Sequence, residues 1–213
     1  KEAHSKGIRV KLYNTIRELS YKAHELFALK SLGDEILNDG KGGGHSWLQE
    51  HFKSNYHSAW HATEVNDAAI LNKGTSRWTN YYIEGINWLA KNNKIDGLYL
   101  DDIAFSRATI KRIASVFNKH RDSFVIDLHS ANQYNIRDGF INSAFLYMEH
   151  FPYISRLWFG EYFQYDLEPD YWLTEVSGIP FGLTGEMLEK GGRPYHGLIY
   201  GMTTRVYHIY NPG

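Results

Sequence analysis

The sequence predicts an α/β protein, and more narrowly a (β/α)8 TIM barrel that is incomplete in this chain and comprises about strands three to seven. Three observations carry that prediction. Short apolar runs alternate with helical patterns, which is the signature of parallel β/α units. Five candidate strands each end in polar or ionisable residues, in order Asn14/Arg17, Asp101/Asp102, Asp127/His129, Glu149/His150 and Glu186. A doubly wound sheet gathers its site at one switch point, whereas a barrel spreads it over many strand ends. Finally, the 213 residues fall short of the ~250 typical of eight β/α units. The first two strands and the last are therefore expected outside this sequence, and residues 1–213 are expected to form one partial barrel domain.

The elements come in order. KEAHSK at the start reads as the tail of a helix. Gly7–Tyr13 is the first strand, alternating Ile8, Val10 and Leu12 against Arg9, Lys11 and Tyr13. Asn14–Glu18 forms its polar end, and Glu25–Leu37 has helical spacing despite Gly33. Asn38–Trp47 is Gly-rich, but no Ser or Thr follows Gly40-Lys41, so it is not a phosphate loop. Its glycines either let the backbone lie close to a ligand while presenting His45 and Trp47, or form a plain surface loop. Trp47–Trp60 is rich in aromatics and histidines, and Thr79–Lys91 is an amphipathic helix with Tyr82, Ile83, Ile86 and Leu89 near one face.

Beyond the central strand, Gly97–Asp101, the spacing predicts a helix over Ala108–Asn118 (Ile110, Ile113, Val116, Phe117) and a strand over Phe124–Leu128. A strand over Phe145–Glu149 comes next, then a helical or looped passage from Trp158 to Val176. A strand over Pro180–Thr184 and a final helix over His196–Tyr207 complete the pattern. There is no internal repeat, linker or low-complexity segment.

Bulk composition narrows the function classes. With 23 basic against 24 acidic residues the chain is nearly neutral, so nothing points to a nucleic-acid partner. No apolar run is long enough to span a bilayer and no signal peptide opens the sequence; a periplasmic or secreted location is the expectation for the full-length protein. The absence of cysteine excludes disulfides and zinc–thiolate sites, and no cofactor is expected. Six Trp and sixteen Tyr supply core, and also rings of the kind that stack on sugars.

The stretch Ile95–Arg107 (IDGLYLDDIAFSR) is the centre of the chain. A short apolar run after Asp96-Gly97 stops on two adjacent carboxylates, Asp101 and Asp102, where barrels keep their chemistry. Two neighbouring acids resist ionising together, which permits a division into acid and base. The alternative is a solvated Asp101 beside an Asp102 that caps the helix starting near Ser106. Strand periodicity sets Tyr99 with Asp101, Tyr147 with Glu149, and Asp127 with Val125 and His129, while Phe124, Ile126 and Leu128 face the helices. Lys11, sharing a face with Tyr13, should meet a carboxylate such as Asp101 or Asp127.

The strings IDGLYLDDIAFSR, IDLHSANQYN, YMEHFPYISRLWFGEYF and GIPFGLTGEML resemble those of bacterial glycoside hydrolases similar to the catalytic region of glycoside hydrolase family 123. The likeness runs from about Ile8 to Tyr207. It implies a retaining hexosaminidase on a (β/α)8 barrel, with the substrate's own 2-acetamido group as nucleophile and roles in carbohydrate metabolism and polysaccharide degradation. In that family an Asp-Glu pair after the fourth strand does the work: the Asp orients the acetamide, and the Glu is the general acid/base. The matching positions here are Asp101 and Asp102, so the second residue departs from the pattern, although Asp-Asp pairs serve in the O-GlcNAc hydrolases. Alternatively Glu149, Glu161 or Glu186 is the acid, with Asp102 as nucleophile or stabiliser.

Around Asp101, Asp102 and Glu149, the expected carbohydrate-binding residues are Tyr13, Arg17, His45, Trp47, Tyr99, Asp127, His129, Asn132, Tyr147, Trp158, Glu161 and Glu186. Trp158, with Tyr162 and Trp172, forms either a stacking wall or core, and Arg17 suits an anionic sugar substituent. Asp127 and His129 either bind hydroxyls or pair structurally. Two other classes compete: a metal-dependent barrel hydrolase using His129 and His150, and a non-catalytic carbohydrate-binding barrel.

Overall fold

A computed structural model describes residues 1–14, 18–20, 24–32, 36, 67–69, 76–101, 106–130, 143–159, 184–188 and 203–205. The chain divides into two compact units, Lys1–Phe124 and Val125–Gly213.

The first unit opens with a short helix, α1 (Glu2–Ser5), as KEAHSK predicts. Gly7 ends it in the left-handed region at φ 71°. The Gly7 N–H donates to His4 O, and the Ile8 N–H reaches back to Ala3 O at 2.9 Å, which closes a Schellman turn. Because the Ile8 amide is committed to that turn, strand pairing begins later than the alternation predicts. The first strand, β1, is Lys11–Asn14, and Ile8 is exposed. A small antiparallel ribbon, β2 (Glu18–Ser20) with β3 (Asp67–Ala69), lies outside the sequence expectations. Neither ELS nor DAA carries a strand pattern. The helix α2 covers Glu25–Lys30, the first half of the span predicted to Leu37.

The helix α3 (Arg77–Trp88) starts at a capping box: Ser76 Oγ accepts from the Thr79 N–H, and Thr79 Oγ1 accepts from the Ser76 N–H. Its buried face is Trp78, Thr79, Tyr82, Ile83 and Ile86. A π-helical turn over Leu89–Asn93 follows and places Ala90, rather than the expected Leu89, in the core. It ends on Lys94, a left-handed residue at φ 57°.

The strand β4 (Gly97–Leu100) is buried at all four positions, as an apolar run in a parallel sheet should be. It pairs in parallel with β1, Lys11 opposite Gly97 and Tyr13 opposite Tyr99. The helix α4 (Arg107–His120) buries Ile110, Ile113, Ala114 and Phe117, and His120 Nε2 lies 2.8 Å from Asn87 Oδ1 on α3.

Asp96 fastens the entry to β4. Its Oδ2 accepts from the Val10 N–H at 2.7 Å and lies 2.6 Å from His4 Nε2. Its own N–H donates to Val10 O at 2.7 Å. Arg121 Nε donates to Ile95 O at 3.0 Å and stands 3.7 Å from Asp96 Oδ1. Burial pushes the Asp96 carboxyl up, but the Val10 N–H, the His4 ring and the Arg121 charge outweigh it and hold the group below its ordinary value.

The second unit holds four parallel strands, β5 (Val125–Ser130), β6 (Arg156–Phe159), β7 (Thr184–Leu188) and β8 (Thr203–Arg205), paired in that order. Ile126 and Leu128 are fully buried, as the period-two reading of β5 requires. Three expectations are corrected here. The segment predicted as a strand over Phe145–Glu149 is a 3-10 helix, Ser143–Tyr153, with Pro152 inside it. A short apolar run does not distinguish a buried helix from a strand. The strand is instead Arg156–Phe159, which overlaps the start of the stretch read as helical or looped, and the Ser155 N–H leads into it by donating to Ile126 O. The strand predicted over Pro180–Thr184 is described only from Thr184, the rest of that span lying outside the described residues, and it runs on to Leu188. The predicted final helix contains a strand at Thr203–Arg205, where paired β-branched threonines favour extended backbone.

Parallel strands alternating with helices make this an α/β fold of the barrel type, with six parallel strands among the described residues against the eight of a closed barrel. Among those residues no helix is long and apolar enough to cross a membrane.

The polar anchor and the left-handed turn of the first unit each lead to a stability test. Because the folded carboxyl of Asp96 titrates below its unfolded value, its stabilisation is complete above about pH 4 and is lost as pH falls through the folded value. Asp96→Asn should cost about 1–3 kcal/mol near neutrality, and thermal melts of variant and wild type should converge on acidification below pH ~4. Lys94→Gly relieves a left-handed side chain and should raise stability by roughly 1 kcal/mol in denaturant unfolding.

Candidate active site

The C-terminal ends of β1 and β4 bring together Tyr13, Asn14, Tyr99 and Asp101. Tyr13 and Tyr99 are register partners, and their rings stack at 5.7 Å between centroids with planes 23° apart. The Tyr13 hydroxyl donates to Asp101 Oδ2. The Asp101 N–H donates to Asn14 O at 3.0 Å, so the residue is held through both backbone and side chain. On the opposite face of β1, the hydroxyl of Tyr82 on α3 donates to Asn14 Oδ1 at 2.5 Å. Burial pushes the Tyr82 phenol well up, so it remains a donor throughout the working pH range. Tyr99 is buried, whereas Tyr13 is 61% exposed, so a ligand can reach its outer ring face while its hydroxyl rests on the carboxylate. The sequence grouped Tyr99 with Asp101, and Tyr13 touches both of them. It did not foresee Asn14 and Tyr82 as the strut behind them, because nothing in a helix pattern announces that one tyrosine turns its hydroxyl to a strand end.

In the helix after β4 the N-cap position is Ser106, and the alternative of Asp102 as a cap falls outside the described residues. Arg17, His45, Trp47, Asp102, Asn132 and Glu161 lie outside the described residues.

In the second unit, parallel register arranges the candidate residues in two rows. Asp127, Arg156 and Thr184 form one, and His129, Trp158, Glu186 and Thr203 the next, two residues further along each strand. In-register residues of parallel strands share a side of the sheet, as do residues two apart. Three of the expected site residues, His129, Trp158 and Glu186, therefore occupy a single row. Glu186 is in the middle of β7 rather than beyond a strand end. Glu149 does not sit at a strand end either; it is exposed on the 3-10 helix, beside a fully buried His150. Tyr147 likewise lies on that 3-10 helix and not on a strand. In the register of β5 and β6, Trp158 stands opposite His129.

Asp127 is fully buried, and Arg156 grips both of its oxygens, Nε at 2.7 Å from Oδ1 and Nη2 at 2.6 Å from Oδ2. Reading β6 ten residues too early hid Arg156, since only the true register sets it beside Asp127. Among the described residues no three His, Cys, Asp or Glu side chains cluster as a metal site would require.

Residues 1–207 match the family model of the glycoside hydrolase 123 TIM-barrel domain. The solved α-amylase of Geobacillus thermoleovorans, in complex with acarbose, is similar in fold, with a TM-score of 0.50 at 16% identity over 76% of this chain. The chain spans 32% of the length of that amylase. No curated protein matches the chain.

The buried ion pair gives a direct test. Arg156→Met strands a desolvated carboxylate and should cost roughly 3–5 kcal/mol in urea unfolding, whereas Asp127→Leu/Arg156→Met should recover most of the loss.

Proposed function

Since the chain belongs to the glycoside hydrolase 123 TIM-barrel family, we propose that it is the catalytic barrel of a glycosidase that cleaves a β-linked 2-acetamido sugar with retention. The observation that carries the reading is the Asp101 carboxylate, which stands at the end of the buried strand β4 with the Tyr13 hydroxyl donating to it. A carboxylate so held suits an anion that accepts the N–H of a substrate acetamide and steers its oxygen toward the anomeric carbon. As that oxygen attacks, the glycosidic bond breaks, and Asp102, the next residue, protonates the leaving oxygen. Water then opens the cyclic intermediate from the same face that the aglycon left, which gives net retention. A neighbouring anion at position 101 favours the protonated form of Asp102 that this role demands. Tyr13, which donates to Asp101 and has an exposed ring, offers an aromatic surface of the kind carbohydrate sites use. The substrate is an oligo- or polysaccharide, and the reaction needs no cofactor.

A conventional mechanism is the alternative, in which Asp102 is the nucleophile or stabiliser and another carboxylate of the protein is the acid. Kinetics on aryl 2-acetamido-2-deoxy-β-glycosides separate the two. Asp102→Asn should lower kcat by roughly 100-fold or more for poor leaving groups and far less for activated aryl leaving groups, which need no proton. Asp101→Asn should impair both, because ring closure by the acetamide suffers in either case. Covalent labelling of a carboxylate by a fluorinated glycoside, or a better substrate without the acetamido group, would overturn substrate assistance in favour of the conventional pair.

A further inference from the structure

We infer that Tyr13 is the positioning residue for Asp101, fixing through its hydroxyl the rotamer in which the carboxylate meets substrate. This inference rests on the catalytic reading of Asp101. The geometry comes from register. Tyr13 is paired with Tyr99, and Asp101 follows β4 directly, two residues after Tyr99, with its N–H donating to Asn14 O. Two residues of a parallel strand rise roughly 6.6 Å, which a phenol bridges from its backbone to its hydroxyl. Tyr13 therefore starts one row below Asp101 and delivers its O–H to Oδ2.

The ring is kept on that course by stacking on Tyr99, itself only 7% exposed and hence a fixed base. From behind, the Asp101 backbone is anchored to Asn14 O, and Asn14 is anchored by Tyr82. With its backbone fixed, an aspartate keeps only two side-chain torsions. A hydrogen bond to one carboxylate oxygen restricts both. The hydroxyl donates to a carboxylate, so it also selects the anionic acceptor that the proposed chemistry requires at position 101. Phenylalanine would preserve the stack and the fold while removing only this restraint.

The test is steady-state kinetics of Tyr13→Phe on aryl 2-acetamido-2-deoxy-β-glycosides of the gluco and galacto series, alone and combined with Asp101→Asn. The expected result is a fall in kcat on the order of tenfold to a hundredfold, with KM within about twofold of wild type and an unchanged melting temperature. In the Asp101→Asn background, Tyr13→Phe should add nothing further, because its effect passes through the carboxylate. Wild-type kcat in Tyr13→Phe, beside a crippled Asp101→Asn, would overturn the inference while leaving the catalytic reading intact. A raised KM at constant kcat, or an equal loss in both backgrounds, would make Tyr13 a substrate contact in its own right and also overturn it. Full activity in Asp101→Asn would overturn both readings together. If Asp101→Asn shows no turnover at all, the division of the Tyr13→Phe effect between kcat and KM decides.

Discussion

The bond between the Asp96 carboxylate and the Val10 amide controls more of the first unit than its size suggests. It joins the residue before β1 to the residue before β4, and the reciprocal bond from the Asp96 N–H to Val10 O closes the pair. With those two residues locked, Lys11 must face Gly97 and Tyr13 must face Tyr99. A slip of one residue would send Tyr13 to the helix side of the sheet, and its hydroxyl could no longer reach Asp101. The contacts of His4 and Arg121 reinforce the same point from α1 and from the residue after α4. The geometry at the C-terminal end of the strands is therefore fixed by polar contacts at their N-terminal end, about four residues away. That separation is the usual division of a β/α barrel, with stability at one end and chemistry at the other.

In the second unit the pair Asp127–Arg156 constrains register by a different route. A buried ion pair adds little net stability once desolvation is counted, but breaking it is costly. Any register of β5 on β6 that separates the two residues leaves a buried charge without its partner, and the native register escapes that penalty. Once the pair is set, the next row along the strands has no freedom left: His129 falls beside Trp158, and Trp158 beside Glu186. Asp127 thus has an evident role in arranging the row above it, whatever else it touches.

The fold class was legible because β/α alternation is written in local periodicity, and the buried strand β4 shows it most plainly: four apolar or small residues between a turn and a pair of acids. The helices α3 and α4 were legible for the same reason. Register was not, because it depends on which residues meet across strands. The AFLYMEH segment shows the limit. Its apolar run satisfies a strand as well as a helix, and only the fit of Arg156 against Asp127 identifies RLWF as the strand. Glu186 was read as lying beyond a strand end, yet it stands inside Thr184–Leu188, because the pattern that marks a strand does not mark where pairing stops. The link from Tyr13 to Asp101 was beyond sequence reasoning altogether: it joins residues 88 apart.

On the proposed substrate-assisted mechanism, an Asp rather than a Glu at the second position of the acid pair would constrain how the site works. An aspartate reaches one methylene less far than a glutamate, so a leaving oxygen must come closer to the strand end to receive its proton. That places a stricter demand on the substrate's approach, and hence on the group that fixes the acetamide at the other side of the reacting bond. A first acid with a loose rotamer would let the sugar settle where Asp102 could not reach it. Tyr13 supplies the missing restraint: it holds Asp101 by a hydrogen bond from a ring that is itself stacked on the buried Tyr99. Under that proposal the short second acid and the tyrosine-braced first acid would be two halves of one adaptation. Lengthening the second acid should therefore make the first less dependent on its brace. Asp102→Glu is expected to reduce the kcat penalty of Tyr13→Phe, and comparison of kcat in the four variants of that double-mutant cycle measures the coupling directly. Strictly additive effects on kcat would show instead that the two positions act independently.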